Sequence, residues 1–228
     1  MTKLRNSDSK ELILEAIRMA WPAVLESFFV ALAGMIDTMM VSTLGTYAVA
    51  AVGLTTQPKF IALALFLSSN IAVNALAARR FGQKNRENAN KILYTAIVFV
   101  IISAAIISTI TFIGADQIIR WCGSNADTHE AGVTYFRVIQ AGMIFNVLSL
   151  VINAAQRGCG NTQIAMTTNV TSSIVNIVFN YLLIGGNFGF PRLGMFGAAL
   201  ATVLGTVVAC IMSIISISKS DCFLSIPY

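Results

Sequence analysis

The sequence predicts an all-α membrane protein, with six transmembrane helices gathered in one bundle and both termini in the cytoplasm. Three observations predict it. The 228 residues are 56% hydrophobic and only 11% charged, with a mean hydropathy of +0.76, whereas a soluble domain carries roughly 25% charge. Uncharged runs of bilayer-crossing length recur along the chain. Those runs are continuously apolar rather than alternating, which fits helices and not the strands of a barrel.

The elements follow in chain order. Over Ser9–Ala20, Leu12, Ile13, Ala16 and Met19 oppose Lys10, Glu11, Glu15 and Arg18. That pattern predicts an interfacial helix within a leading segment, residues 1–21, whose path Pro22 breaks. The first span lies in Met19–Pro58 and is interrupted only by Glu26 and Asp37. Ala31-Leu32-Ala33 resembles a peptidase site, but Glu26 breaks the would-be apolar region and the hydrophobic run continues past it, so this helix is read as retained. The second span begins near Ala48, includes Phe60–Ala78 and is bent by Pro58. Lys59 within it either lines an interior cavity or snorkels outward on its long stem. Ile92–Ile113, Val138–Gln156, Ile164–Pro191 and Leu193–Ser218 supply four more spans, each near or above the roughly 20 residues a crossing needs. The lobe thus occupies residues 22–218, and residues 219–228 read as the start of a linker.

Eleven of the 15 Lys and Arg residues fall on one side of this topology, and only Arg120, Arg137 and Arg192 on the other. The positive-inside rule then places both termini in the cytoplasm of a protein that crosses the cell (inner) membrane several times. The net charge of +5 sits where that rule puts it and implies no nucleic-acid partner. Cys122, Cys159, Cys210 and Cys222 share no metal-ligand spacing and read as unpaired small apolar residues. His129, the only histidine, has no zinc motif around it. No phosphate cradle, nucleophile elbow or converging pair of catalytic acids appears, so neither an enzyme nor a cofactor is expected.

Asp37 is the most informative residue. A carboxylate at membrane depth costs at least a few kcal/mol. It is tolerated facing a protein interior, either exchanging a proton or cation with a pathway or, protonated, making a helix–helix hydrogen bond. Other polar residues fall in stripes. Asn169, Ser173, Asn176 and Asn180 share one face of the fifth span, and Asn146, Ser149, Asn153 and Gln156 one face of the fourth. Asn70 and Asn74 lie one turn apart on the second, and Thr202, Thr206 and Ser213 mark the sixth. Such stripes are inter-helical glue or the lining of a wet cavity; four of them with a carboxylate favour the cavity. Glu26, eleven residues before Asp37, shares its face at a distance of about 16 Å. The cavity is expected to take in Glu26, Gln57, Asn70, Asn74, Asn153, Asn169 and Ser173.

Several segments carry a resemblance. Pro22, Met35-Ile36-Asp37-Thr38-Met39-Met40-Val41, Leu44-Gly45 and Ala50-Ala51-Val52-Gly53 are similar to the first helix and turn of the multidrug and toxic compound extrusion (MATE) family. Ala77-Ala78-Arg79-Arg80-Phe81-Gly82-Gln83 resembles the end of its second helix. Asn153 through Thr162 resembles its fourth-to-fifth loop, which usually reads Arg-Gly-x-Gly-Asp-Thr; here Asn161 replaces the Asp. Asn176-Ile177-Val178-Phe179-Asn180, Gly189-Phe190-Pro191-Arg192-Leu193-Gly194 and Gly197 through Thr202 follow in the family's order.

The resemblance implies an antiporter that expels small organic, often cationic, compounds in exchange for H⁺ or Na⁺. It implies a cation site at Asp37, Asn176, Asn180, Thr202 and the Ala198 carbonyl, with Na⁺ held at Asp37, Asn176 and Asn180. Some members carry Asp where this chain has Asn180, so one negative charge is gone, although a cage of hard oxygens remains. The family has two six-helix lobes and this chain reads as one, so the resemblance also implies a second lobe, either a C-terminal half or a second copy. Two other readings stay open: a non-transporting assembly module, and a lipid-linked precursor flippase. The flippase reading would want a basic cavity, for which only Lys59 is a credible in-span cation.

Overall fold

The computed structural model describes the backbone of residues 2–218 and 223–224, and the side chains of residues 17, 20–218 and 223–224. Among these, every regular element is helical. In order they are α1 (Thr2–Ser42), α2 (Thr46–Gly82), α3 (Arg86–Ile113), α4 (Ala115–Trp121), α5 (Ala126–Ala141), α6 (Met143–Gly158), α7 (Thr162–Gly185) and α8 (Gly194–Ser218), with a 3₁₀ turn at Asn187–Gly189. Four stretches, Ala20–Ser42, α2, α3 and α8, are long and apolar enough to cross a membrane, and α5 with α6 makes a fifth if that bent pair is one span. The 24 residues of α7 carry no charge, and at about 1.5 Å each they are long enough to cross. Their Asn, Ser and Thr content leaves α7 less apolar than the others.

Two expectations about local structure are corrected. Pro22 does not end a helix: α1 runs through it without interruption. Lipid offers no partner for backbone groups freed by a break, so bending a helix costs less than ending it there. The amphipathic pattern of Ser9–Ala20 falls mostly on residues whose side chains lie outside the described set, as does most of the linker predicted for 219–228. The fourth span is also longer than the run Val138–Gln156. It begins at Ala126 and bends by 49° between α5 and α6. Gly142 sits at the bend, and a Cβ there would lie 2.6 Å from Val203 Cγ2 on α8. The kink is thus where α8 presses a branched side chain against bare backbone.

Small residues set the other close crossings. A Cβ at Gly197 would sit 2.7 Å from the Leu183 carbonyl, and one at Gly205 2.8 Å from the Ser172 carbonyl, so α8 rests directly on α7. Gly158 lets α6 meet α2 at Asn74 in the same way. This close approach replaces hydrophobic drive, which lipid does not supply between helices. The main core joins α2, α3 and α6 around Phe66, Val100 and Val151, and Leu224 packs into it from beyond α8. A second cluster, with Val41, Ala48, Tyr135, Ile184 and Ala198, closes the opposite end.

Candidate functional site

α1 lies along α7 and is tied to it twice. Asn180 Nδ2 donates to Asp37 Oδ1, and Asn169 Nδ2 donates to Glu26 Oε1 at 2.5 Å. The eleven-residue spacing on α1 is matched by an eleven-residue spacing on α7, so each carboxylate meets its own amide three turns apart.

The Asp37 end is a relay of polar groups across three helices. Asn180 Nδ2 also donates to Asn176 Oδ1 at 3.3 Å. Asn176 Nδ2 donates to Thr202 Oγ1 at 3.1 Å, and Thr202 Oγ1 donates to the Ala198 carbonyl at 3.1 Å. Tyr135 of α5, 4% exposed, packs in the same cluster as Ala198 beside this relay. The structure therefore brings together all five residues that the resemblance assigned to a cation site. Asn180 is fully buried, yet its Oδ1 has no hydrogen-bond partner among the described residues. A buried amide oxygen left unpaired costs about 1–3 kcal/mol. With its nitrogen committed to Asp37 and Asn176, this oxygen is an unpaired buried acceptor beside the carboxylate. Lys59 on α2 is half-buried.

The Glu26 end is a polar cavity of about 220 Å³, lined by Glu26, Asn70, Asn153 and Asn169 among the expected residues, with Arg157 and Thr206 beside them. Arg157 donates to Glu26 Oε1 at 2.5 Å. Glu26 is only 13% exposed and Arg157 33%, so this is a largely buried ion pair. The other three expected residues lie elsewhere. Gln57 opens onto a separate pocket beside Cys122 and Asn125. Asn74 is half-buried where α2 crosses Gly158, and Ser173 is half-buried on α7 away from the cavity lining.

The stripe on α6 divides its work. Ser149 and Ser213 share a hydrogen bond at 3.0 Å, Ser213 donates to Asn153 Oδ1 at 3.2 Å, and Gln156 donates to Ser216 at 3.2 Å. This is a buried polar seam between α6 and α8, so inter-helical glue describes those contacts. Ser149 and Asn153 reach the cavity edge as well.

The MatE family model matches residues 22–182, well over half of the chain. The chain belongs to the MatE family. A probable multidrug resistance protein NorM of Thermotoga maritima is 26% identical over 205 residues, which is 90% of this chain and 44% of that protein. An FAD transporter of Shewanella oneidensis is 29% identical over 177 residues, 78% of this chain and 39% of that protein. A solved multidrug resistance MATE family transporter in an outward-facing conformation superposes with a TM-score of 0.85 at 27% identity, covering 93% of this chain and 46% of that one. The chain thus spans under half the length of the MatE relatives it matches. MatE proteins are transporters and not enzymes, and this chain is a multi-pass membrane protein with four apolar spans among the described residues, or five with the bent α5–α6 pair.

Tyr135 and Arg157 are the site residues that sequence reasoning missed. Arg157 is one of the eleven cations on the side assigned to the cytoplasm, and it directly follows the apolar run that ends at Gln156. Tyr135 falls between the apolar runs Ile92–Ile113 and Val138–Gln156, because the α5 segment carries too many polar residues to extend either.

Proposed function

We propose that this chain forms one lobe of a cation-coupled antiporter that exports small organic cations, with Asp37 as the coupling residue. The observation that carries the reading is the buried, unpartnered Asn180 Oδ1 beside the Asp37 carboxylate. Two ligands satisfy it. A Na⁺ ion, which prefers hard oxygen donors, fits the set made by Asn180 Oδ1, the Asp37 carboxylate, Thr202 Oγ1 and the Ala198 carbonyl. A proton on Asp37 is the alternative: once the amide turns over, the protonated carboxyl donates to Asn180 Oδ1, and Asn180 Nδ2 takes the buried position that Oδ1 held.

Either ligand neutralises Asp37 and draws α1 toward α7 and α8. Release leaves a carboxylate that favours an organic cation nearby. Ion and substrate then oppose each other through one conformational equilibrium, which is antiport by linkage. Alternating access needs a second bundle to rock against, so the partner is another six-helix lobe, either a C-terminal half or a second copy related by a two-fold axis. The cell membrane with both termini in the cytoplasm is the setting that the charge distribution supports.

Proteoliposomes test this. The chain with a six-helix partner lobe should accumulate a fluorescent organic cation only when a Na⁺ or proton gradient is imposed, and the chain as a monomer should not. Robust uptake by a demonstrated monomer, or uptake indifferent to both gradients, would overturn the reading.

A further inference from the structure

The hairpin of α2 and α3 encloses a groove of about 460 Å³ that the Asp37 and Glu26 sites do not use. Near its middle it is apolar, with Ala72, Val73, Leu76, Ala96, Phe99 and Val100 along its walls. At the end next to the α2–α3 turn the lining changes to Arg80, Asn88 and Lys91. Leu76 and Phe99 are 45% and 48% exposed, so the groove opens on the surface of the bundle and not into its core.

Its dimensions follow from the helices. From Lys91 to Val100 the wall rises about 14 Å at 1.5 Å per residue. Half of a hydrocarbon core of about 30 Å is about 15 Å. The groove therefore spans one leaflet, with its cationic end at the headgroup level and its apolar length at acyl-chain depth. A ligand that fits has a chain of leaflet length and an anionic head. The turn beside it also carries Arg79 and Lys84, so the local field is positive.

The two lining cations are not fully committed. Arg80 Nη1 donates to Gln83 Oε1 at 2.9 Å, a neutral acceptor that a phosphate outcompetes. Lys91 pairs with Glu87 at 2.7 Å, but both side chains are 69% exposed, and an ion pair so exposed contributes little. Asn88 offers an amide donor at the same level.

We propose that this groove is a binding site for an anionic glycerophospholipid of the leaflet next to the α2–α3 turn. One acyl chain lies between α2 and α3, and the phosphate is held by Arg80, Lys91 and Asn88. Charge complementarity names the headgroup and the match to leaflet depth names the chain. The site is independent of the transport reading, since it requires only that the chain resides in a membrane.

Native mass spectrometry of the whole chain, released from nanodiscs that contain equal phosphatidylglycerol and phosphatidylcholine with the same acyl chains, tests it. The protein should retain phosphatidylglycerol about tenfold over phosphatidylcholine. Arg80→Gln and Lys91→Gln should each reduce that preference about fivefold, the effect of one cation near an anionic surface. Glu87→Gln should raise it, because Lys91 is then released to the phosphate. Ala96→Trp should remove retention of both lipids by filling the groove, and thermal unfolding in phosphatidylcholine reports whether that variant folds. Soluble sn-glycerol 3-phosphate should not displace the lipid; displacement would show that the head alone binds and would overturn the lipid assignment. Equal retention of the two lipids by the wild-type chain, or a preference that Arg80→Gln and Glu87→Gln leave unmoved, would overturn the site itself.

Discussion

Asn180 donates to Asp37 across a sequence separation of 143 residues, and Asn169 meets Glu26 across the same separation. A constant offset means that α1 and α7 run side by side in the same direction. Three crossings must then lie between them, supplied by α2, α3 and the bent α5–α6 pair as a single span. A re-entrant hairpin at Gly142 would have reversed α7 and brought Asn169 to the Asp37 level instead.

That direction is testable by labelling. In a cysteine-free background, Lys84→Cys and Gly160→Cys should react with a membrane-impermeant thiol reagent from one side of the membrane, and Asn125→Cys and Asn187→Cys from the other. Reaction of the 84 and 160 positions from opposite sides would show that α5 and α6 do not cross as one span.

The kink itself depends on Gly142. Gly142→Ala drives a methyl into Val203 and should destabilise the chain by about 1–3 kcal/mol, the usual cost of overpacking. Val203→Ala in the same chain should return most of that loss. A double-mutant cycle read by denaturant unfolding in detergent checks it, with additive effects as the contrary result.

At the Glu26 end, Arg157→Ala leaves a carboxylate at 13% exposure with one neutral donor. Breaking a fully buried pair costs about 3–5 kcal/mol; Arg157 is one-third exposed, so about 2–3 kcal/mol is expected here. Glu26→Gln with Arg157→Ala should be milder than Arg157→Ala alone, because no unpaired charge remains. The same unfolding assay compares the two.

Outside the membrane spans, Asp116 on α4 accepts from His129 Nε2 at 2.9 Å, and Ser124 bonds the other ring nitrogen at 2.7 Å. The bond from His129, aided by Arg120 and Arg137, holds the Asp116 carboxyl below its ordinary range against the opposing effect of desolvation. A lowered folded-state pKa contributes stability that is present above the unfolded value of about 3.9 and is lost as pH falls through the folded value. Asp116→Asn should therefore be less stable than wild type above the unfolded carboxylate value, and that margin should shrink toward zero as pH falls through the folded value. Thermal unfolding across that range measures it. A gap that is independent of pH would mean that the Asp116 charge is irrelevant.

Much of this was legible in the sequence, for identifiable reasons. Apolar runs without charge located α2, α3 and α8, because lipid imposes composition over a whole helix. The period of 3.6 residues put Glu26 with Asp37, and Asn176 with Asn180, on shared faces, since that geometry is local. The rest was not local. Whether Ser149 meets water or Ser213 depends on how closely α8 approaches α6. Gln57 carries the same polarity as Asn70 but points to a different pocket, because its position along α2 places it nearer the α4–α5 connection. Pro22 reads as a helix end by the chemistry of water and is carried within a helix by the chemistry of lipid. Arg157 looks like a loop cation until the fold sets Glu26 beside it.

Ion binding measured by thermal unfolding tests the central claim most directly. A ligand that binds only the folded chain stabilises it by about 2.7 kcal/mol at a hundred times its dissociation constant. The wild-type chain in nanodiscs should gain stability with added Na⁺ over K⁺ at equal ionic strength, or with falling pH, according to which ion satisfies Asn180 Oδ1. Asp37→Asn should fold and insert normally and respond to neither. An unchanged response to the same ion in Asp37→Asn would contradict the assignment and place the coupling site elsewhere.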